Sequence, residues 1–344
     1  MKIDWRGALG IALSVALLVW ALHGISLGEV WGQLRASNLP LFLLSAVVAT
    51  LVFPLRAARW RPILGPSVDG VPFAALWRAT AIGMMVNNVV PARAGEVARA
   101  FALTREAPRV PFSAALASLA VDRLFDAVVV FLLTGVAVLD PAFPGGRALS
   151  AATGGASLSR LTIGAIVLIV GLLIALYIPV LFPGRLADLY AALARRVAPD
   201  TETRGRELVM SFATGLGVLR SPGRCAATFA WALALWYTNA LSFWIGFRAA
   251  GITVPFSASL FLQGIIALGV AVPQAPGYFG VFEAVAKPGL AIYGVPPAQA
   301  VGWAIGFHVL TFLPITIIGA WYAVRLGLHL RDMRPAASAP QPET

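Results

Sequence analysis

The chain has 344 residues, of which 59% are hydrophobic and only 12% charged, and its formal net charge is +11. A soluble globular domain is nearer half apolar and a quarter charged, so this composition excludes an ordinary soluble enzyme or binding module. The single cysteine, Cys225, excludes disulfides and cysteine-based metal sites.

Apolar runs long enough to cross a bilayer predict the elements in chain order. A helix needs about 20 apolar residues to span the hydrocarbon. Full-length spans are predicted at 7–27, 39–55, 111–139, 160–182, 225–250 and 297–326. Two further apolar regions, 72–108 and 255–293, are interrupted by proline and glycine. We therefore predict an all-α polytopic membrane protein with about six full transmembrane helices, forming a single membrane domain over 1–330.

The positions of Lys and Arg predict which way the spans face. The basic positions that we assign to cytoplasmic loops are Arg56, Arg59, Arg61, Arg185, Arg195, Arg196, Arg204, Arg206, Arg220, Arg224, Arg325, Arg331 and Arg334. Cytoplasmic loops carry the excess of basic residues, which places both termini in the cytoplasm. The same explanation accounts for the net charge, so we expect no nucleic-acid partner. The pattern indicates a bacterial plasma (inner) membrane.

Segment 185–222 alternates apolar and basic residues at helical spacing, which predicts interfacial helices on the cytoplasmic leaflet. A soluble regulatory helical pair is the alternative. Residues 331–344, rich in Ala and Pro, are predicted to be a disordered tail.

An internal repeat relates 39–139 to 225–327. The matching proline-containing motifs are Val71-Pro72-Phe73, Pro91 and Val110-Pro111 in the first copy, and Val254-Pro255-Phe256, Pro273 and Val295-Pro296 in the second. Proline breaks a helix, and irregular backbone at mid-membrane depth is tolerated only inside protein or beside a wet cavity. We predict two re-entrant broken-helix hairpins that enter from opposite sides, and hence an inverted repeat. Spans merely kinked by Pro and Gly are the alternative.

An ionisable side chain deep in a membrane is energetically costly, so we treat each one as a candidate functional residue. The candidate substrate-binding residues, grouped around the two breaks and the third span, are Asn87, Asn88, Arg93, Glu96, Arg99, Asp122, Arg123, Asp126, Gly277, Gly280, Glu283 and Lys287. A helix N-terminus next to Arg93 suits a phosphate. Pairing of these charges with one another, to hold the hairpins in place, stays open. His308 is interpreted as an interhelical hydrogen-bonding group rather than a ligand or proton relay.

Three runs resemble a known family: Asn88 to Arg99, Asp122-Arg123 with Asp126, and Pro273 to Glu283. They are similar to hallmarks of the lysylphosphatidylglycerol synthase transmembrane-domain family, often called flippase-like. The resemblance implies translocation of aminoacylated phosphatidylglycerol or an association with lipid-linked sugars. Because only a short tail follows Arg325, we expect a stand-alone member without the family's aminoacyltransferase domain.

These patterns together favour a lipid flippase-like transporter of an anionic lipid, either an aminoacylated phospholipid or a polyprenyl-phosphate-linked sugar. We expect a non-enzyme without catalytic residues, metal or cofactor, whose partners are membrane lipids and an envelope lipid or glycan synthase. The sequence contains no phosphate-binding G-x-x-x-x-G-K-[ST] loop. The alternatives are a non-transporting scaffold of such a synthase and an intramembrane enzyme acting on a prenyl or phospholipid substrate.

Overall fold

A computed structural model describes residues 5–90, 94–145, 181–197, 201–203, 205–206, 209–210, 220–270 and 276–328, with the single residues 163, 167, 171, 178 and 218. These parts of the chain contain eleven α-helices and no strand. The predicted tail at 331–344 and most of the predicted span at 160–182 lie outside them.

The helices follow one another in the order that the hydropathy predicts. They are α1 (Trp5–Leu22), α2 (Leu27–Ala36), α3 (Leu39–Leu64), α4 (Phe73–Val89), α5 (Gly95–Glu106), α6 (Phe112–Leu139), α7 (Pro183–Val197), α8 (Pro222–Ala249), α9 (Phe256–Gly269), α10 (Val281–Ala291) and α11 (Pro297–Arg325). Both interrupted regions are divided as predicted, into α4 and α5 and into α9 and α10. Short 3₁₀ turns lie at Gly65–Val68 and Pro276–Tyr278.

Four of these helices begin directly after a proline whose backbone is extended or close to it. The residues are Pro72, Pro111, Pro255 and Pro296, before α4, α6, α9 and α11 respectively. Proline has no N–H to lose at a helix start, and its fixed φ suits the entering chain. The repeated Val-Pro pairs in the sequence therefore mark real helix N-termini.

Helix α2 was not predicted, because it lies between the predicted spans at 7–27 and 39–55. Its start is defined by a capping box in which Ser26 and Glu29 each bond the other's backbone N–H. The segments Ala12–Leu22 and Leu27–Ala36 meet at a bend of 78°. The predicted first span is therefore followed by a helix that turns sharply away from it.

Within the described residues, α3 and α11 are each long and apolar enough to cross a membrane, and α1 with α2 adds a third candidate if the bent pair forms one span. The protein is therefore an all-helical membrane protein with at least two clear spanning candidates. The six-span count stays a prediction.

Helix α3 corrects one element of the sequence interpretation. It continues to Leu64, nine residues beyond the predicted end at 55. Arg56 and Arg59 lie inside it, only 7% and 0% exposed, rather than in a cytoplasmic loop. Burial of two cations requires anionic partners nearby, and α6 supplies them as described below.

The helices of the two predicted repeat copies make corresponding contacts. α3 packs along α8, α4 packs on α5 and α11, and α9 packs on α10 and α6. Likewise α5 contacts α6, and α10 contacts α11. Each broken pair thus lies between the last helix of its own copy and that of the other, which brings the two interrupted regions toward the same part of the molecule.

Close approach of α4 to α5 depends on Gly83. A Cβ added there would lie 2.7 Å from both the Arg99 Cβ and the Gly95 carbonyl oxygen, whereas one added at Gly135 on α6 would meet nothing within 4 Å. We expect Gly83→Ala to destabilise the protein by about 1–3 kcal/mol through overpacking. Gly135→Ala should instead gain about 0.5–1 kcal/mol from helix propensity. Thermal unfolding in detergent tests the pair, and equal shifts of the two variants would contradict this packing.

Candidate functional site

Two carboxylates one turn apart on α6 organise a buried ionic cluster. Asp122, fully buried, contacts Arg59 at 2.6 Å and Arg99 at 3.2 Å, with Arg56 at 3.5 Å. Arg56 and Arg59 come from α3 and Arg99 from α5. Asp122 therefore joins α3, α5 and α6.

Asp126 lies at the other end of the same cluster. Its Oδ1 accepts from Arg59 at 2.7 Å and from the indole N–H of Trp236 on α8 at 2.8 Å. Its Oδ2 accepts from Arg56 at 3.0 Å and Arg123 at 3.1 Å. Each carboxylate oxygen accepts two hydrogen bonds, so Asp126 links α8 to α3 and α6.

The outer edge of the cluster is formed by Arg123 and Glu96, which pair directly. The Arg99 guanidinium also stacks over the Trp60 ring, 4.0 Å from its centroid. Such a cation–π contact partly replaces the water that a buried guanidinium loses. The candidate residues on α5 and α6 are therefore paired with one another, as the structural alternative proposed.

The cluster carries an excess of positive charge. Its arginines are Arg56, Arg59, Arg99 and Arg123, and its carboxylates are Glu96, Asp122 and Asp126. Among the residues that the structure describes, four arginines face three carboxylates, which is an excess of one positive charge. A buried site of this sign favours an anionic group in contact with it.

A second constellation joins α10 to α11. His308 Nδ1 lies 2.8 Å from Glu283 Oε1, and His308 Nε2 lies 2.7 Å from the Gly277 carbonyl oxygen. Glu283 Oε2 accepts the Gly280 backbone N–H at 2.7 Å. The His308 ring stacks on Phe279 at 4.2 Å between centroids. His308 is thus confirmed as an interhelical hydrogen-bonding group.

A cavity of about 290 Å³ lies between the two constellations. Arg56 and Trp236 line it on the side of the ionic cluster, and Gly277 and His308 line it on the other side. Most of the remaining wall is apolar, with five phenylalanines. The other polar lining residues are Asn88, Asn239, Gln263, Tyr278 and Thr311. An apolar chamber with a few convergent polar groups is the usual form of a small-molecule site.

Gln263 brings a buried polar side chain to the cavity wall. Its side chain is 2% exposed, and its Oε1 accepts from Asn239 Nδ2 at 3.0 Å. Its Nε2 has no hydrogen-bond partner among the described residues. A buried amide donor left unpaired costs about 1–3 kcal/mol, so an acceptor entering the cavity would relieve this cost.

The other predicted residues occupy distinct places. Asn88 lines the cavity and donates to the Thr316 hydroxyl at 2.7 Å, while Asn87 caps α5 by accepting from the Gly95 N–H at 2.9 Å. Lys287 lies away from the cavity wall, where its ammonium donates to two carbonyls at the end of α1, both at 3.0 Å. Arg93 lies outside the described residues.

Sequence reasoning missed Arg56 and Arg59 of the ionic cluster, and Trp236, Asn239 and Gln263 of the cavity wall. Arg56 and Arg59 are three residues apart and share one helix face, a signal that could have matched them to Asp122 and Asp126. Gln263 is a lone amide within a run of otherwise apolar or small residues, which is itself unusual in a membrane segment.

Comparison with known proteins gives matches along most of the chain. The sequence model of the family described as lysylphosphatidylglycerol synthase TM region matches residues 7–319. A UPF0104 membrane protein of Methanothermobacter thermautotrophicus is 23% identical over 349 residues, covering 92% of this chain and 93% of that protein. The glycosyltransferase AglD of Haloferax volcanii is 33% identical over 137 residues, which are 40% of this chain and only 22% of that protein. No solved structure matches.

Proposed function

The chain belongs to the lysylphosphatidylglycerol synthase TM region family, and from this membership and the site geometry we propose that it moves a lipid with an anionic head group across the membrane. The observation that carries the proposal is the cavity, whose described lining is mostly apolar and includes Arg56 and a few amide, hydroxyl and imidazole groups. The acyl or prenyl chains remain in the bilayer while the head group passes through the cavity.

Arg56 is the link between the cavity and the ionic cluster. It lines the cavity and also contacts both Asp122 and Asp126. Because the cluster has one positive charge in excess, an anionic phosphate at Arg56 completes its charge balance. The unpaired Gln263 amide supplies a hydrogen bond to the same head group. Both contacts replace hydration that the phosphate loses on entering the membrane.

Two lipid classes fit this chemistry. The name of the family points to an aminoacylated phospholipid, and a relative named as a glycosyltransferase favours a lipid that carries a sugar, such as the polyprenyl-phosphate-linked sugar expected from the sequence. Both present a phosphate beside a polar group rich in hydrogen-bond donors. The cavity supplies acceptors for such groups at Asn88, Asn239 and Thr311.

The proposal includes an inverted repeat with two re-entrant hairpins. The reciprocal contacts support it, because α4 packs on α11 as α9 packs on α6. In transporters built this way the substrate site lies near the bilayer midplane between the halves. We place both termini in the cytoplasm of a bacterial cell, and α7, whose basic last turn carries Arg195 and Arg196, on the inner leaflet.

Lipid exchange between leaflets of liposomes tests this function. The probes are head-group-labelled phosphatidylglycerol, its lysylated form and a polyprenyl-phosphate sugar, and the variant is Gln263→Leu. We expect wild-type protein to accelerate one lipid class and Gln263→Leu to slow it, because the variant removes the amide that contacts the head group. Gln299→Leu, a matched change at a residue that bonds the Ala250 carbonyl outside the cavity, should keep the wild-type rate.

Two results would contradict the function. If wild-type protein accelerates none of the three lipids, it is not a translocator of this kind. If the pure protein instead consumes the polyprenyl-phosphate sugar, the intramembrane-enzyme alternative replaces it, and the name of the glycosyltransferase relative is the observation that favours this second candidate.

A further inference from the structure

The geometry of the Glu283–His308 pair fixes where its protons lie. A backbone carbonyl can only accept a hydrogen bond, so the nitrogen that faces Gly277 O, His308 Nε2, carries a hydrogen. The other ring nitrogen, Nδ1, faces Glu283 Oε1 at 2.8 Å. Two acceptor atoms do not approach so closely without a hydrogen between them. One further proton is therefore shared by the carboxyl group and the imidazole.

With this proton the pair is electrically neutral, whether it is a carboxylate beside an imidazolium or a carboxylic acid beside an imidazole. Without it, Glu283 keeps its negative charge and its Oε1 faces the lone pair of Nδ1. Glu283 is fully buried and His308 is 7% exposed, so water cannot screen that repulsion well. Loss of the proton therefore breaks the contact and leaves a negative charge behind the cavity wall.

The surroundings contain few groups that could offset this charge. Arg56 on α3 and Tyr278 line the same cavity, and Arg56 already contacts two aspartates. Lys287 on α10 is directed to the carbonyls of Ala21 and His23. Neither α9 nor the described side chains of α1 include an ionisable residue.

The ionisable groups of the other helices packed on α10 and α11 have partners elsewhere or are far along their helices. On α2 they are Glu29, which caps the helix start, and Arg35, which lies over Trp31. On α3 they are Arg59 and Arg61, and on α4 Arg78, which pairs with Glu106 of α5. The remaining ones are Arg224, Cys225, Tyr237 and Arg248 on α8, and Tyr322 and Arg325 at the end of α11.

We propose that Glu283 and His308 form a proton-binding site coupled to the head-group site in the cavity, so that one proton travels with each anionic lipid. An anionic head group in the cavity disfavours the deprotonated, negatively charged pair. By thermodynamic reciprocity, the proton favours binding of the anion to the same degree. This inference rests on the proposed function. It gives the transport a driving force, which the sequence does not supply through an ATP-binding loop.

The test imposes a pH difference across liposomes that contain wild-type protein. The probe is the anionic lipid that the protein exchanges, labelled phosphatidylglycerol or the polyprenyl-phosphate sugar. With one proton per singly charged lipid, a difference of about one pH unit should concentrate the probe about tenfold in the leaflet on the alkaline side. The movement is electroneutral, so clamping the membrane potential should leave this ratio unchanged.

Glu283→Gln separates coupling from transport. A glutamine donates to Nδ1 and still accepts from the Gly280 N–H, so it reproduces the protonated pair without a releasable proton. Whatever rate of exchange the variant supports, we expect it to end with equal leaflets at any pH difference. Glu29→Gln is the matched control, because Glu29 also caps a helix start but is exposed and remote from the cavity. It should keep the tenfold ratio.

Each outcome decides the inference. Fast exchange by wild-type protein with equal leaflets under a pH difference overturns the proton site and leaves the proposed function standing. A tenfold ratio that persists in Glu283→Gln also overturns it, because the proton would then bind elsewhere. No exchange of any probe by wild-type protein overturns both. If Glu283→Gln cannot be reconstituted or exchanges no lipid, equal leaflets with the wild-type protein under a pH difference still overturn the proton site.

Discussion

Asp122→Asn should destabilise the folded protein by about 3–5 kcal/mol, the range for breaking a buried ion pair from one side. Asp122 is fully buried and contacts Arg59 and Arg99, whose side chains are both 0% exposed. Removing its charge raises the positive excess of the cluster from one to two, at a position where Asp122 and its two arginine partners are fully buried. Unfolding in detergent, followed by heat or denaturant, measures the loss.

The matched control is Asp188→Asn on α7. Asp188 pairs with Arg206 at 3.0 Å, but both side chains are more than half exposed. Exposed pairs contribute between 0 and about 1 kcal/mol, so this variant should unfold almost as the wild type does. Equal stability of the two asparagine variants would show that the cluster is not buried as described.

A double variant distinguishes charge balance from simple loss of a contact. Arg99→Met together with Asp122→Asn restores the original excess of one charge and leaves an apolar side chain against Trp60. Replacing buried ions by well-packed apolar groups is often neutral or stabilising. The double variant should therefore be more stable than Asp122→Asn alone, and a further loss would contradict the electrostatic account.

Much of the helical layout is predictable from sequence, because bilayer thickness and proline impose simple rules. Runs of about 20 apolar residues and the repeated Val-Pro pairs place α6, α8 and α11 within a few residues of their observed ends. The division of the two interrupted regions follows from the same proline-containing motifs. Helix α2 was not predicted because it is short and mixed in composition. Its only clear sequence signal is the capping box formed by Ser26 and Glu29.

The site was less predictable, since its members are joined by tertiary contacts. Arg56 was assigned to a cytoplasmic loop by the rule that basic residues flank spans, a rule that does not foresee an aspartate 70 positions later in the chain. Lys287 has the charge and spacing expected of a ligand but is used to cap α1. Asp122 and Asp126 were recognised because charge inside a span is rare enough to stand out alone.

Filling the cavity should abolish lipid exchange while the protein stays folded. Ala267 on α9 lines the cavity, and tryptophan at this position occupies the space that a head group needs. Overpacking lowers the free energy of unfolding by about 1–3 kcal/mol. The substitution leaves the ionic cluster intact, so we expect the protein to stay folded. Ala320→Trp is the matched control. Ala320 is exposed on α11 among Ile317, Trp321 and Val324, a stripe of exposed apolar side chains.

The exchange rate of the head-group-labelled lipid in liposomes holding equal amounts of wild-type, Ala267→Trp or Ala320→Trp protein tests the central claim most directly. Elution as a single species in detergent first establishes that all three are folded. If the head group passes through the cavity, wild type and Ala320→Trp exchange the lipid at the same rate, and Ala267→Trp exchanges it no faster than protein-free liposomes. Undiminished exchange by folded Ala267→Trp would contradict a route through this cavity.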